Sequence, residues 1–335
     1  LVTWDYFYNS GGWDDYPPQV YVHKNSLTDK IAPTVNTAHA IRFAKIMLMA
    51  ASQLELKADM QSYNADITKL SNALQNYSWD KSSGYFGYVV HDDLGNAKSI
   101  LRTEAGENFN KGLDGCSPLI AGICNRSQQE SIVNNLMSEN HIWSKQGLST
   151  VDQSASYFLK NGYWNGSVWM PHQWFMWKAL ITSGYVDEAL RIANKALEVW
   201  KRETDETYNC FEVFPIASGR AGGWHQFGAL SAPVINWFES LYVPGTLTTG
   251  LNVWVQSKQL DPKTYTGTFQ LKVFNSETDT KQATIFICLP EETNFKAFWN
   301  NVPIAFKQLQ RGLWCLSIPL NNEIESGELR ISNIN

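Results

Sequence analysis

A chain of 335 residues, 44% hydrophobic and 18% charged, has the material for a sizeable core and room for one large domain plus a small one, and it excludes long disorder. Its formal net charge of −5, with no run of lysine or arginine, offers no basic surface for phosphates and excludes nucleic acid as an expected partner. No stretch approaches the ~18 apolar residues of a membrane span, and the opening LVTWDYFYNSGGW lacks the basic start and apolar centre of a signal peptide.

The chain begins with rings and glycines. Trp4, Tyr6, Phe7, Tyr8 and Trp13 cluster with Gly, Asn and Asp instead of in a periodic apolar run, in a chain with 14 Trp, 14 Tyr and 16 Phe. Most such rings fill cores; rings interleaved with amides and carboxylates also suit sugars, whose apolar faces stack while their hydroxyls meet the polar groups. Within this stretch YNSGGWDDYPPQ, Tyr8 to Gln19, joins two glycines, the adjacent carboxylates Asp14 and Asp15, and two prolines into a constrained loop. Trp13, Tyr16 and a neighbouring carboxylate are the surroundings a general acid requires, desolvation and like charge. The spacing serves a plain turn equally well, with both Asp side chains bonding backbone amides.

From about residue 33 to 241 the pattern is mainly helical. Asn36 to Leu56 carries apolar residues on a helical period, and Asp59 to Tyr77 is its amphipathic partner across a short link, which predicts an antiparallel hairpin. SGYFGYVVHDDLGNAKS then reads as a β-hairpin, with Asp92, Asp93 and Asn96 as a turn in preference to a calcium site. Further helices are expected at Ser127 to Ser138, Pro171 to Ser183, Val186 to Glu203 and Ala229 to Leu241. Gly184 is the stop between the middle two, and Val186, Ala189, Leu190, Ala193, Leu197 and Trp200 form an apolar face. Beyond about Leu251, short β-rich segments separated by turn residues predict a small β-sandwich. The five cysteines are odd in number and form no CxxC pair, which predicts buried free thiols.

Two more loops carry chemistry-bearing residues. NGYWNGSVWMPHQWFMW, Asn161 to Trp177, leads into a helix opened by proline; Trp174 and Trp177 are expected as packed anchors, whereas Trp164, Asn165 and Trp169 divide evenly between packing and facing a sugar. ETYNCFEVFPIASGRAGGWHQFGALSAPV, Glu206 to Val234, sets a carboxylate before a Gly-rich loop and then Trp224, His225, Gln226 and Phe227 before a helix. GRAGG lacks the Lys, Ser and strand context of a phosphate loop. Hydrolysis of a glycosidic bond with inversion needs an acid for the leaving oxygen and a carboxylate base that activates water across the sugar. The candidates sit in loops far apart in sequence, so only a closed fold brings them together.

Together the three motifs resemble the family 63 glycoside hydrolases and their relatives, which include processing α-glucosidase I, mannosylglycerate-hydrolase-like enzymes and, more remotely, trehalases. GGWDDYPP looks like the family's acid signature and places the general acid on Asp14. YWNGSVW resembles the segment lining the sugar pocket, with Asn165 where an arginine is usual. The family's base is a Glu followed by a glycine seven residues later and an aromatic just before a helix; Glu212 fits, with Gly219 and Phe227, and is preferred over Glu206.

The resemblance implies a mainly α fold, an (α/α)6 barrel over residues 1–245 followed by a C-terminal β-sandwich over 246–335. Such a barrel needs about twice the helices legible here. The expected barrel is therefore incomplete, its N-terminal helices missing or supplied as a separate segment or chain, and it leaves an open apolar wall. It further implies an α-linked glucose or mannose glycoside as substrate, with Trp13, Asp15, Tyr16, Gln19, Trp164, Asn165, Trp169, Trp224, His225 and Gln226 shaping the sugar site. No cofactor or metal is expected, and the periplasm or exterior is favoured over the cytoplasm. The alternatives are another α/α-barrel enzyme (rhamnosidase, phosphorylase or lyase) or a non-catalytic carbohydrate-binding protein; the motif loops are poor in the basic residues that phosphorolysis or a lyase would use.

Overall fold

The computed structural model describes residues 1–3, 12–274, 282–291, 294–321 and 324–333. The aromatic cluster at Trp4, Tyr6, Phe7 and Tyr8 lies outside the described residues. The elements run α1 (Pro17–Lys24), β1 (Ile31–Ala32), α2 (Thr34–Gln53), α3 (Lys57–Tyr77), β2 (Trp79–Asp80), β3 (Tyr85–Phe86), β4 (Val89–His91), β5 (Ala97–Ile100), α4 (Ser117–Ala121), α5 (Arg126–Met137), β6 (Trp143–Ser144), β7 (Gly147–Leu148), α6 (Met170–Thr182), α7 (Val186–Thr207) and α8 (Gly228–Tyr242). The strand-rich remainder is β8 (Leu247–Thr249), β9 (Val253–Leu260), β10 (Gly267–Phe274), β11 (Gln282–Cys288), β12 (Phe295–Trp299), β13 (Val302–Ile304), β14 (Phe306–Gln310), β15 (Leu313–Pro319) and β16 (Ile324–Asn333).

The chain divides into two compact units, residues 1–173 with 207–227 and residues 174–206 with 228–335. The division falls within α6 and at both ends of loop 207–227, not near residue 245, so most of α6 and α7 and all of α8 go with the strands. The reason is local bonding. The Lys178 ammonium donates to the Thr249 carbonyl at 2.6 Å, Leu251 N–H donates to Thr182 Oγ1 at 2.7 Å, and the Cys288 thiol reaches the Leu241 carbonyl.

In the first unit, α2 and α3 form the expected antiparallel hairpin around Ala38, Ile41 and Leu74, with Ile67 and Leu70 packed against them. The expected β-hairpin is β4 with β5, and β1 adds a third antiparallel strand. Asp92 at its turn accepts the N–H groups of Leu94 and Asn96, a carboxylate used to close the turn. Helix α5 starts on a full capping box, Asn125 and Gln128 each accepting the other's backbone N–H at 3.0 Å. Helix α1 was not expected: Pro17 and Pro18, which read as loop, occupy its first turn, where a missing N–H costs nothing.

In the second unit, Ala189, Ile192, Ala193, Ala196 and Val199 make the buried face of α7. The strands form a five-stranded sheet, β13-β12-β16-β10-β9, and a four-stranded sheet, β14-β15-β11-β8. Phe269, Leu271 and Val273 of the first share one core with Ala283, Ile285 and Ile287 of the second, which makes the pair a sandwich. Between α7 and α8 runs an apolar groove of about 760 Å³ lined by Leu197, Trp200, Val234, Ile235, Phe238 and Tyr242. Ile235 is 72% exposed, so this helix pair does present an open apolar face. All five cysteines are free thiols, and burial pushes those of Cys288 and Cys315 up to about 11.

Candidate active site

Three segments of the first unit meet: the turn from Gly12 to Tyr16, the loop 161–173, and the loop 207–227. The Gly12–Tyr16 turn is pinned from below. Tyr16 is fully buried and its hydroxyl donates to Asn110 Oδ1 at 2.7 Å; Asn110 Nδ2 in turn donates to the Phe86 carbonyl at 2.9 Å and to Asp114 Oδ1 at 3.2 Å. Asp114 also accepts the Tyr88 hydroxyl and the Val35 N–H. Burial outweighs these bonds and raises its carboxyl to about 6. Sequence reasoning passed over this network, since Asn110 and Asp114 carry no motif.

The two carboxylates of the turn face different surroundings. Asp14 is exposed. Asp15 is half-buried and accepts two successive backbone N–H groups, Trp164 at 2.5 Å and Tyr163 at 3.2 Å. Of the alternatives open in the sequence, Asp15 takes the one in which a carboxylate bonds amides, though across some 148 residues and not within its own turn.

The rings next to these groups stack on one another. Trp164 lies parallel to Trp169 with centroids 3.8 Å apart, and Trp13 stacks on Trp164 at 5.3 Å. His172 sets its edge against Trp13 and Trp164 at 4.7 and 4.9 Å. Less than a tenth of Trp13, Trp164 or Trp169 is exposed, so the pillar presents little ring face to anything outside it. Burial depresses His172 to about 3, and Nδ1 has no partner among the described residues. Asn165 is buried beside the pillar with Oδ1 unpartnered among the described residues, and Gln19 is buried on α1.

Loop 207–227 folds back on itself. Glu212 N–H donates to the Trp224 carbonyl at 2.9 Å, Gly222 N–H to Val213 at 2.8 Å, and Phe214 exchanges bonds with Val168 at 3.0 and 3.1 Å, which fastens the loop to the pillar segment. The Glu212 carboxylate is held at both ends: Oε1 accepts the Tyr163 hydroxyl, and Oε2 accepts Trp224 N–H at 2.9 Å. Gly223 makes this possible. Its φ is +68° and a Cβ there would sit 2.5 Å from Glu212 Oε2. Trp224 is 60% exposed beside Glu212, its ring tilted against that of His225, and His225 and Gln226 are exposed as well.

Tyr163 joins the three segments. It is half-buried, packs edge-on against Trp164 and Trp169, and its phenol is pushed well above the ordinary tyrosine value by burial, then by its bond to Glu212 and the charge of Glu212, and then by the charges of Asp14 and Asp15. Glu212 and Asp15 are thus both bonded to Tyr163, one at its hydroxyl and the other at its backbone N–H. Tyr163 is a residue the sequence reading missed; its only signal was its place at the head of YWNGSVW.

A mannosylglycerate hydrolase from Thermus thermophilus, solved with glucose, is 21% identical with a TM-score of 0.50, over 67% of this chain and 51% of the other. An uncharacterised conserved protein from the same organism gives 21% and 0.51, over 65% and 51%. The neutral trehalase Nth1 of Saccharomyces cerevisiae gives 15% and 0.50, over 63% and 38%. At these identities the likeness is one of fold, and the chain spans about half the length of the Thermus proteins. Residues 8–228, which contain all three loops, match the mannosylglycerate hydrolase MGH1-like glycoside hydrolase domain, and the chain belongs to that family.

Proposed function

We propose that this protein hydrolyses an α-linked gluco- or manno-type glycoside with inversion, on a site completed within an (α/α)6 barrel, with Asp14 as general acid and Glu212 as general base. The observation that carries the reading is the meeting at Tyr163 of two loops about two hundred residues apart: its hydroxyl bonds Glu212, and its backbone N–H bonds Asp15, the neighbour of Asp14. Asp14 gives its proton to the glycosidic oxygen as the carbon–oxygen bond breaks. A water on the opposite face forms the new bond to the anomeric carbon and yields its proton to Glu212. Each Glu212 oxygen keeps a second lone pair after bonding Tyr163 or Trp224, so the carboxylate can still accept that proton.

Of the rings first assigned to the sugar, Trp224 is the one whose exposure and place beside Glu212 suit a stacking platform, with His225 and Gln226 as polar neighbours. Trp13, Trp164 and Trp169 serve better as the pillar that supports the loops. The Thermus relative's name makes mannosylglycerate, and its glucosyl counterpart, the first substrates to test. Asp14→Asn and Glu212→Gln are each expected to lower kcat by ~10²- to 10⁴-fold with an unchanged melting temperature. Wild-type turnover in either variant contradicts the assignment, and release of a sugar phosphate in place of free sugar moves the protein to the phosphorylases.

A further inference from the structure

Asp14 and Asp15 are neighbours with opposite circumstances, one open to solvent and one turned onto the backbone of another loop. Three features show what the second one does. Asp15 holds the amides of Tyr163 and Trp164, so the turn that bears the acid is tied to the peptide that bears the phenol. The Tyr163 ring is confined by Trp169 at 4.7 Å and Trp164 at 6.3 Å, and its own carbonyl accepts the Trp169 indole N–H at 3.2 Å, so the hydroxyl has a fixed direction. That hydroxyl ends on Glu212 Oε1, while the Trp224 amide takes Oε2.

We infer that Asp15 and Tyr163 are positioning residues that set the general base against the general acid: a rigid strut of bonds runs from the Asp15 carboxylate through the 163–164 backbone and the Tyr163 hydroxyl to Glu212. The inference rests on the acid–base reading above and adds to it two residues that do not themselves touch the reacting atoms. With only the Trp224 amide left, Glu212 would be free to swing about its terminal torsion, and a displacement of ~1 Å in a catalytic group costs ~10²-fold in rate. The charged groups that reach the phenol are Glu212, Asp14 and Asp15, one or more from each loop packed against it.

The test is Tyr163→Phe, which keeps the ring contacts and removes only the hydroxyl, assayed on mannosylglycerate and glucosylglycerate. The expected result is a fall in kcat of about tenfold to a hundredfold with KM within about twofold. Asp15→Asn, which keeps one acceptor, should lose less than Asp15→Ala. A second readout needs no turnover: tyrosinate absorbance, differenced against Tyr163→Phe, follows ionisation of this phenol. In Glu212→Gln that ionisation should move down toward the ordinary tyrosine range, since the neighbouring charge is lost. Wild-type kcat in Tyr163→Phe, or a Tyr163 titration indifferent to Glu212→Gln, overturns the inference. Absence of any hydrolysis by the wild type overturns the proposed function instead, and the titration still decides whether the two side chains are coupled.

Discussion

In the sandwich, β10 and β16 run in unbroken antiparallel register from Gly267↔Ile331 to Phe274↔Ile324, and the alternate residues Phe269, Leu271 and Val273 all enter one core. Around Glu212 the pairing is limited to isolated bridges, Val213 with Gly222, Cys210 with Gln226 and Val168 with Phe214, and side chains are fixed by single hydrogen bonds and ring contacts. The sandwich spreads its stability over many interchangeable apolar contacts, so losing one costs energy without moving a reacting group. The loop cluster places each functional atom through one or two partners, so losing one costs geometry with little change in total stability.

This contrast can be broken by paired substitutions. Phe269 is fully buried in the sandwich, and Phe269→Ala is expected to remove about 3–5 kcal/mol of unfolding free energy, read by denaturant titration, while the folded protein keeps its kcat. Gly223→Ala is the converse. A Cβ 2.5 Å from Glu212 Oε2 at a positive φ must displace the base, and kcat should fall about a hundredfold with a melting temperature changed by only a few degrees. If Phe269→Ala and Gly223→Ala swap these signatures, the contrast fails.

A smaller effect sharpens the account of the pillar. His172 is held neutral by burial, its folded value of about 3 lying below the ordinary value of 6.5, so between these limits the unfolded chain binds a proton that the folded one does not. Stability contributed by this site is therefore present above about pH 6.5 and is lost as the pH falls. At pH 5 the loss relative to pH 7 is about 2 kcal/mol. The difference in unfolding free energy between His172→Phe and the wild type should shift in favour of the variant by that amount on acidification. A difference that stays constant with pH would place His172 outside the dry core of the stack.

What could be read in advance follows the same division. Helices α2, α3 and α5 to α8 and the alternating strands lie close to their expected positions, because burial of one face imposes a period that survives in the sequence. Helix α1 was hidden by two prolines that signal a loop and a helix start alike. The compact units divide within α6 and not near residue 245, and the sequences of α7 and α8 carry no mark of whether they pack on other helices or on strands. In the site, Asp14, Glu212 and the tryptophans were found as motif residues, but not their work: a Trp in a Gly-rich loop has the same signature whether its face meets a sugar, as proposed for Trp224, or another indole, as in Trp164. Tyr163 and the second role of Asp15 depend on hydrogen bonds between remote segments, and no local pattern records those.

Asp14 and Glu212 are proposed to act from opposite faces of one α-linked sugar. Proton NMR of the first sugar released from mannosylglycerate or glucosylglycerate, recorded before mutarotation, tests it most directly. The β anomer is predicted, because a single displacement by water held on Glu212 inverts the anomeric carbon. Initial release of the α anomer would mean that a carboxylate had attacked the sugar itself, and would contradict the assignment of Glu212 as a base.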